Sequence, residues 1–416
     1  LPADGGQLVV RQYTDTIYPG RGSVAISSDV PLGAVVQQRL APGDLSLPTS
    51  GAYLGVTEGS TKFYVPLIQA RKTTSTGIGN TFLAIQNISS TTIPTISVNL
   101  LAEPGSGSLP STFTKTINNL QPNASFFYDL ADESGIQNNW SGSAEIISDS
   151  GKITVVVNSF NGSNALRTFN AFPVESVNSK WGIPLFASKL SNGLNTSVSL
   201  QNLSGGTIPV NGVTLDCGAG FSMKNNVEIP NKGNYAFNPL TNYPQIFPNN
   251  WQGACTLDSG SYDIVAFVIM RRIINNGDQA AYEAISYSST DTSVFVPLAA
   301  KRLPNGFATS IVIQNLSSED TIVNLTWTPS PTECALSPCN SYSENGITIP
   351  GNGNIVRNLR LPDGGPIGMP NGWQGTLKVV PSNISNAKPI SGYVVLSNLV
   401  NTAGDNYRAH LALTLP

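Results

Sequence analysis

Three stretches of the chain carry the same alternation of apolar and small polar positions. Leu83 and Ile85, Val198 and Leu200, and Ile311 and Ile313 alternate with residues that are small or polar apart from Phe82 and Val312, the period of two expected of a strand with one buried face. Each stretch ends on a Gln-Asn step: Gln86-Asn87, Gln201-Asn202 and Gln314-Asn315. A short turn rich in Ser, Thr and Gly follows, then a second apolar run at 96–100, 213–215 and 323–325. The pattern predicts strand, turn, strand. The Asn continues the inward register, where its short amide can satisfy backbone groups at the end of a ladder.

Two more landmarks keep step with this one. An apolar-Pro-Leu step precedes it at Val65-Pro66-Leu67, Ile183-Pro184-Leu185 and Val296-Pro297-Leu298. A Trp-x-Gly step follows it at Trp140, Trp251 and Trp373, which are 111 and 122 residues apart. That spacing exceeds the 20–50 residues of solenoid repeats and matches about one β-sandwich domain. The chain therefore divides into a partial module at 1–61 and complete modules at 62–179, 180–292 and 293–416. After each Trp step the pattern predicts a hairpin, turned by Asp149-Ser150-Gly151 in module 1 and by Asp258-Ser259-Gly260 in module 2. The last strand of each pair, such as 264–270, is apolar on both faces, so part of its outer face is expected to meet another module or another molecule. The recurrent Trp reads as a core plug, the competing reading being a sugar-stacking platform.

The partial module resembles the second half of a complete one. Gly22-Ser23-Val24-Ala25-Ile26 matches Gly142-Ser143-Ala144-Glu145-Ile146, and Asp29-Val30-Pro31 stands where Asp149-Ser150-Gly151 turns the chain. Its apolar face and strand edges need a cover. An upstream segment, a strand from a neighbouring copy, or packing of residues 1–60 on module 1 would each supply one.

Composition narrows the class. Charged residues are only 11% of the chain against roughly 25% in average soluble proteins, so the polar surface is mostly Ser, Thr, Asn and Gln. With 39 Gly and 29 Pro, turns are frequent and no long helix is favoured, which indicates an all-β chain. A net charge of −3 without a basic cluster offers no footprint for nucleic acid, and no apolar run is long enough for a membrane-spanning helix. A first residue Leu1 rather than Met fits removal of a signal peptide or pro-segment.

Candidate chemistry is sparse. Cys217 with Cys255, and Cys334 with Cys339, lack His neighbours and zinc-site spacing, so they predict two disulfides and a location outside the cytoplasm. His410 is the only histidine, which removes His-based catalysis and standard zinc sites. Asp129, Asp132 and Glu133 cluster in one module only, so no catalytic pair of carboxylates recurs. We expect no enzyme activity, cofactor or metal. Sequons at Asn87, Asn123, Asn139, Asn161, Asn195, Asn202, Asn315, Asn324 and Asn383 are candidate glycosylation sites.

The phrases "VPL", "IQNIS" and "GSVAISSDVPLGAVV" resemble the tandem Ig-like modules of bacterial, Chloroflexi-type, cell-surface proteins, and the resemblance covers nearly the whole chain. It implies three tandem Ig-like β-sandwiches after a partial one, an extracellular or cell-surface role, and no catalytic residues. The first expectation for function is a structural protein that assembles with copies of itself into a filament, sheath or S-layer, through β-strand complementation by the half-module. The alternative is an adhesin or carbohydrate-binding stalk that recognises surface glycans. In that case one module should carry an exposed aromatic cluster absent from the others.

Overall fold

The structure, a computed structural model, describes residues 21–39, 50–74, 77–162, 165–272, 278–331, 334, 339–400 and 407–414. These residues form strands, turns and three single-turn 3-10 helices, and no described helix is long and apolar enough to cross a membrane. The chain divides into two compact units. The larger holds residues 36–289 and 402–411; the smaller holds 290–401, 412–416 and the stretch up to Val35.

The larger unit begins with a two-stranded sheet of β1 (Val35–Arg39) and β2 (Ser50–Leu54). Module 1 follows with β3 (Lys62–Ala70), β4 (Lys72–Thr74), β5 (Gly77–Asn87), β6 (Ile93–Ala102), β7 (Thr112–Leu120), β8 (Ser125–Asp129), β9 (Trp140–Ser148), β10 (Ile153–Asn161), β11 (Ala165–Asn170) and β12 (Phe172–Pro173). Its two sheets run β12-β3-β9-β6-β7 and β11-β10-β5, with β4 and β8 also paired to β5. The alternating residues read from sequence are the inward ones: Leu83 and Ile85 lie opposite Val157 and Val155, and all four are fully buried. Module 2 repeats this plan. It comprises β13 (Lys180–Ser188), β14 (Leu194–Asn202), β15 (Thr214–Asp216), β16 (Ser222–Lys224), β17 (Asn234–Phe237), β18 (Trp251–Asp258), β19 (Ile264–Arg272), β20 (Gln279–Glu283) and β21 (Ile285–Ser286). The sheets run β16-β15-β18-β13-β21 and β17-β14-β19-β20.

The smaller unit contains β22 (Val294–Lys301), β23 (Phe307–Asn315), β24 (Thr321–Pro329), β25 (Tyr342–Ile349), β26 (Asn354–Asn358), β27 (Trp373–Pro381) and β28 (Ile390–Asn398). Next in sequence, β29 (Tyr407–Leu411) belongs to the larger unit, and β30 (Leu413–Thr414) returns to the smaller one. Within the smaller unit the sheets run β25-β24-β27-β22-β30 and β26-β23-β28. Trp327, Trp373, Leu325, Leu377, Ile311 and Ile313 fill the core between them. The whole is thus an all-β chain of paired sheets.

Two sequence-level expectations need correction. The segments at 143–160 and 255–270 are not hairpins: β9 and β10 lie in different sheets, as do β18 and β19. The turn forms as expected, with Gly151 and Gly260 in the left-handed region (φ +72° and +66°). However, β9 is already paired on both edges, with β3 and β6, and β10 with β5 and β11. The turn therefore carries the chain from one layer to the other. The second correction concerns residues 22–26, which form no strand and leave Val24 and Ile26 exposed. Their counterpart β9 is held between two neighbours, and among the described residues nothing flanks 22–26 in that way. Within the half-module, residues 1–20 and 40–49 lie outside the described residues.

The apolar-Pro-Leu landmark also has a physical basis. In all three modules the ladder between the first strand and the Trp strand shifts register across it, between Val65 and Ile68, Ile183 and Phe186, and Val296 and Ala299. A bulge leaves a backbone group unpaired, so a Pro, which has no N–H to donate, fits there without loss.

Candidate functional site

The Gln-Asn step marks the crossing between sheets rather than a ligand site. Asn87, Asn202 and Asn315 are completely buried and make the same bonds. Each Nδ2 donates to the carbonyl four residues on, at Thr91 (2.8 Å), Gly206 (2.7 Å) and Glu319 (2.7 Å). It donates again to Leu120 (2.9 Å), Ile229 (2.7 Å) and Ile349 (3.2 Å) near the far end of the next hairpin. Each Oδ1 accepts the N–H two residues on, from Ser89, Ser204 and Ser317. One side chain thus closes the turn and ties it to the opposite sheet, using both amide hydrogens. The preceding Gln is less uniform: Gln86 is half-buried, whereas Gln201 and Gln314 are buried. Gln201 Nε2 donates to the Lys232 carbonyl at 3.1 Å.

The sequons sort by burial. Asn123, Asn139 and Asn383 are exposed and Asn324 is half-buried, whereas Asn87, Asn161, Asn195, Asn202 and Asn315 are buried. A buried amide nitrogen has no room for a glycan, so the folded chain presents the first four. Both predicted disulfides are formed, Cys217–Cys255 and Cys334–Cys339. The acidic trio of module 1 is tied into its loop. Asp129 caps the turn by accepting the Ala131 N–H, Glu133 pairs with Lys115 at 3.0 Å and accepts the Tyr128 hydroxyl, and Asp132 is exposed. Among the described residues no group of three His, Cys, Asp or Glu is placed to hold a metal.

Sequence reasoning missed a ring of strands in the larger unit. β2 packs against β11 and β29, and β20 packs against the same two. The penultimate residue of each strand is aromatic: Tyr53, Phe169, Tyr282 and His410. Ionisable groups are buried here: Arg167, Arg408 and His410. Burial and the neighbouring Arg271 push the Arg167 guanidinium down to about 10, and burial pushes His410 down to about 4, so its imidazole is neutral at pH 7. Burial raises the Glu283 carboxyl, which accepts the Asn170 backbone N–H.

The three Trp residues at the shared position do not behave alike. Trp140 and Trp373 are fully buried, and their indole N–H groups donate to Pro110 O and Asn340 O, both at 2.9 Å. Those carbonyls come from the long connections between β6 and β7 and between β24 and β25. In module 2 the corresponding β15 and β16 have three residues each, and the short 217–221 connection sets the Phe221 ring against the indole instead of a carbonyl on its N–H. Trp251 is half-buried and its Nε1 donates to no described residue. Instead Phe247 and Phe221 pack on it, with ring centroids 4.7 and 5.5 Å away.

The glycine of the Trp-x-Gly step records the same difference. A Cβ at Gly142 would lie 2.0 Å from Leu101 O, and one at Gly375 would lie 2.1 Å from Thr328 O, because a neighbouring strand runs alongside. At Gly253 only the Trp251 ring is near, at 3.1 Å. The strand beside β18 stops at Asp216, opposite Thr256, and the Cys217–Cys255 bridge closes it.

No protein-family model matches the chain, and no curated protein matches it. Three solved structures show weak similarity. Thermotoga maritima 1070 is 19% identical over 29% of this chain and 98% of that one, at a TM-score of 0.23. The viral chemokine binding protein R17 of rodent gammaherpesvirus Peru is 9% identical over 94% and 100%, at 0.20. Dimeric latent PorU from Porphyromonas gingivalis is 12% identical over 86% and 34%, at 0.16. At scores this low none of the three carries an argument about fold or function.

Proposed function

We propose that the protein is a non-enzymatic extracellular structural protein of tandem Ig-like modules, a subunit that assembles with its own copies into a surface filament, sheath or S-layer. The observation that carries this reading is the one-sided pairing of β1. Its counterparts β10 and β19 each lie between two strands, β11 and β5 in one case, β20 and β14 in the other. Among the described residues β1 pairs only with β2, and its other edge offers a place for a strand of the β5 type. An open edge of this kind recruits a strand from another chain by main-chain hydrogen bonding, and a head-to-tail contact that does not close a ring propagates as a filament. The two disulfides fit an oxidising compartment, and the low charge limits repulsion between copies.

Sedimentation velocity over a concentration series, with electron microscopy of the same samples, tests the proposal on the full chain. Polymers should appear as concentration rises. An excess of a peptide with the sequence of residues 307–315 should shorten them by occupying the open edge. A chain that stays monomeric throughout would sink the reading, and polymers indifferent to the peptide would sink the strand-complementation route.

A further inference from the structure

We propose that module 2 carries a binding site for a neutral sugar, built on Trp251 and Phe221, with the indole N–H as the donor to a sugar hydroxyl.

The argument starts from what the other modules do at the same place. Trp140 is sealed and its N–H is used by Pro110 O; Trp373 is sealed and its N–H is used by Asn340 O. An indole N–H left without a protein acceptor is normally turned to water or a ligand, since burying it unpaired costs about 1–3 kcal/mol. In module 2 the shortened β15–β16 connection leaves Trp251 half-exposed with that donor unspent. The adjacent turn is bare of bulk: Gly218 and Gly220 face open space, where an added Cβ would meet nothing within 4 Å.

The aromatic groups are fixed rather than loosely placed. Phe247 is 3% exposed and backs Trp251 from within, tilted by 48°. Phe186 is fully buried and meets both rings. Phe221, half-buried, meets Trp251 edge to face at 63° and stacks on Phe247 at 26°. The Cys217–Cys255 bridge pins the strand end four residues before Phe221. A rigid aromatic wall with one free donor suits a ligand with an apolar face and hydroxyls at its rim.

Charge selects among such ligands. The nearby ammonium of Lys189 donates to Pro244 O at 2.6 Å, and the carboxylate of Asp216 accepts the Gly218 N–H at the adjacent turn at 2.9 Å, so the surroundings carry charge of both signs. Among the described residues no cation is set against the aromatic wall as a phosphate, sulfate or acidic sugar would require, and the Asp216 carboxylate at its edge disfavours an anion. A pyranose fits, because its axial C–H groups stack on an aromatic ring while its equatorial hydroxyls accept from the indole. This inference is independent of the assembly reading, and either can fail alone.

The fluorescence of the chain offers a selective test. Of its five Trp residues, Trp140, Trp181, Trp327 and Trp373 are at most 2% exposed, so soluble quenchers reach chiefly Trp251. The labelled full chain is applied to an array of neutral and acidic oligosaccharides, and each bound glycan is then tested for protection of the quenchable emission by acrylamide titration. We expect a neutral hexose-containing glycan to bind and to reduce quenching. Trp251→Phe, which keeps an aromatic ring but no donor, and Phe221→Ser, on the half-exposed face, should each weaken that binding at least tenfold. Circular dichroism should show both variants folded. Absence of any neutral glycan above background, binding of acidic glycans alone, or binding unaffected by Trp251→Phe would overturn the proposal.

Discussion

Phe169 of β11 and Phe267 of β19 stack with ring centroids 4.4 Å apart and planes 14° from parallel, both almost fully buried. Phe267 lies next to Val268, which faces Val198 in the core of module 2, so it projects from the other side of its sheet. The second apolar face of β19 is therefore the face that meets module 1. Glu145 supports the same joint by pairing with Lys232 of module 2 at 2.8 Å and with Lys62 of its own module at 3.4 Å. The Ser143 hydroxyl donates to Lys232 O at 2.6 Å.

Modules 1 and 2 should consequently lose stability together. Phe267→Ala deletes a buried ring at a cost of about 3–5 kcal/mol, and about 0.5–1.5 kcal/mol of coupling should survive a double-mutant cycle with Phe169→Ala. Hydrogen exchange distinguishes a shared joint from a local one. Protection of β11 in module 1 should fall along with that of β19, whereas a loss confined to module 2 would show that the modules fold separately.

The Asn clamp should be intolerant of small changes. Asn202→Ala leaves the N–H of Ser204 without a partner and takes one of two donors from each of the carbonyls of Gly206 and Ile229, which keep Ser204 Oγ and the Ile208 N–H, so a loss of about 1–3 kcal/mol is expected. Asn202→Asp should cost more, because a carboxylate would face two carbonyl oxygens where the amide donated. Denaturant unfolding should rank the variants in that order, and the same order should hold for Asn87 and Asn315. Glycopeptide mapping of protein made in a glycosylating host offers a parallel check: modification should be confined to Asn123, Asn139, Asn324 and Asn383.

Strand positions were legible because alternation is local: Val198 announces its inward face by Ser197 and Ser199, whereas Leu83 and Ile311, beside Phe82 and Val312, need the Gln-Asn step to fix the register. Pairing was not legible. The turn at Asp149-Ser150-Gly151 has the same composition whether it closes a hairpin or carries the chain between layers, and only the distant partners of β9 and β10 decide. The role of the Asn was foreseen in kind, since its amide does bind backbone groups, but its acceptors Leu120, Ile229 and Ile349 lie 33, 27 and 34 residues away. Trp251 looks identical to its counterparts as a Trp-x-Gly step. The signal that sets it apart is the five-residue 217–221 connection, whose shortness becomes meaningful once Pro110 and Asn340 are seen above the other two rings.

The disulfides should differ in effect because they close loops of different length. Cys217 and Cys255 are 38 residues apart, Cys334 and Cys339 only 5. The chain-entropy relation assigns about 4 kcal/mol to the first and about 2 kcal/mol to the second. Cys217→Ala with Cys255→Ala should lower the unfolding midpoint of the larger unit and increase acrylamide quenching of Trp251, whose neighbouring strand end would be released. The matching double replacement at 334 and 339 should leave quenching unchanged. Equal losses from the two would mean that the bridge in module 2 does not restrain its strand end.

His410 sets an acid limit on the ring of strands. Its pKa is about 4 when folded, against 6.5 for the free side chain, so the unfolded chain binds a proton more readily than the folded one. Stability should be unaffected by this group above about pH 6.5, fall as the pH drops from 6.5 toward 4, and level off below that. The full difference corresponds to about 3 kcal/mol. Glu283 works in the opposite sense: its raised pKa means that the folded chain takes up its proton first as pH falls, which offsets part of the loss near the lower end of the range. His410→Phe should remove the histidine contribution, since Phe169 already occupies the penultimate position of β11. Denaturant unfolding of the two proteins from pH 8 to pH 4 should give curves that coincide above pH 7 once offset by a constant, and that diverge below it with the variant falling less. Parallel curves across the whole range would show that His410 takes up its proton as readily in the folded chain as in the unfolded one.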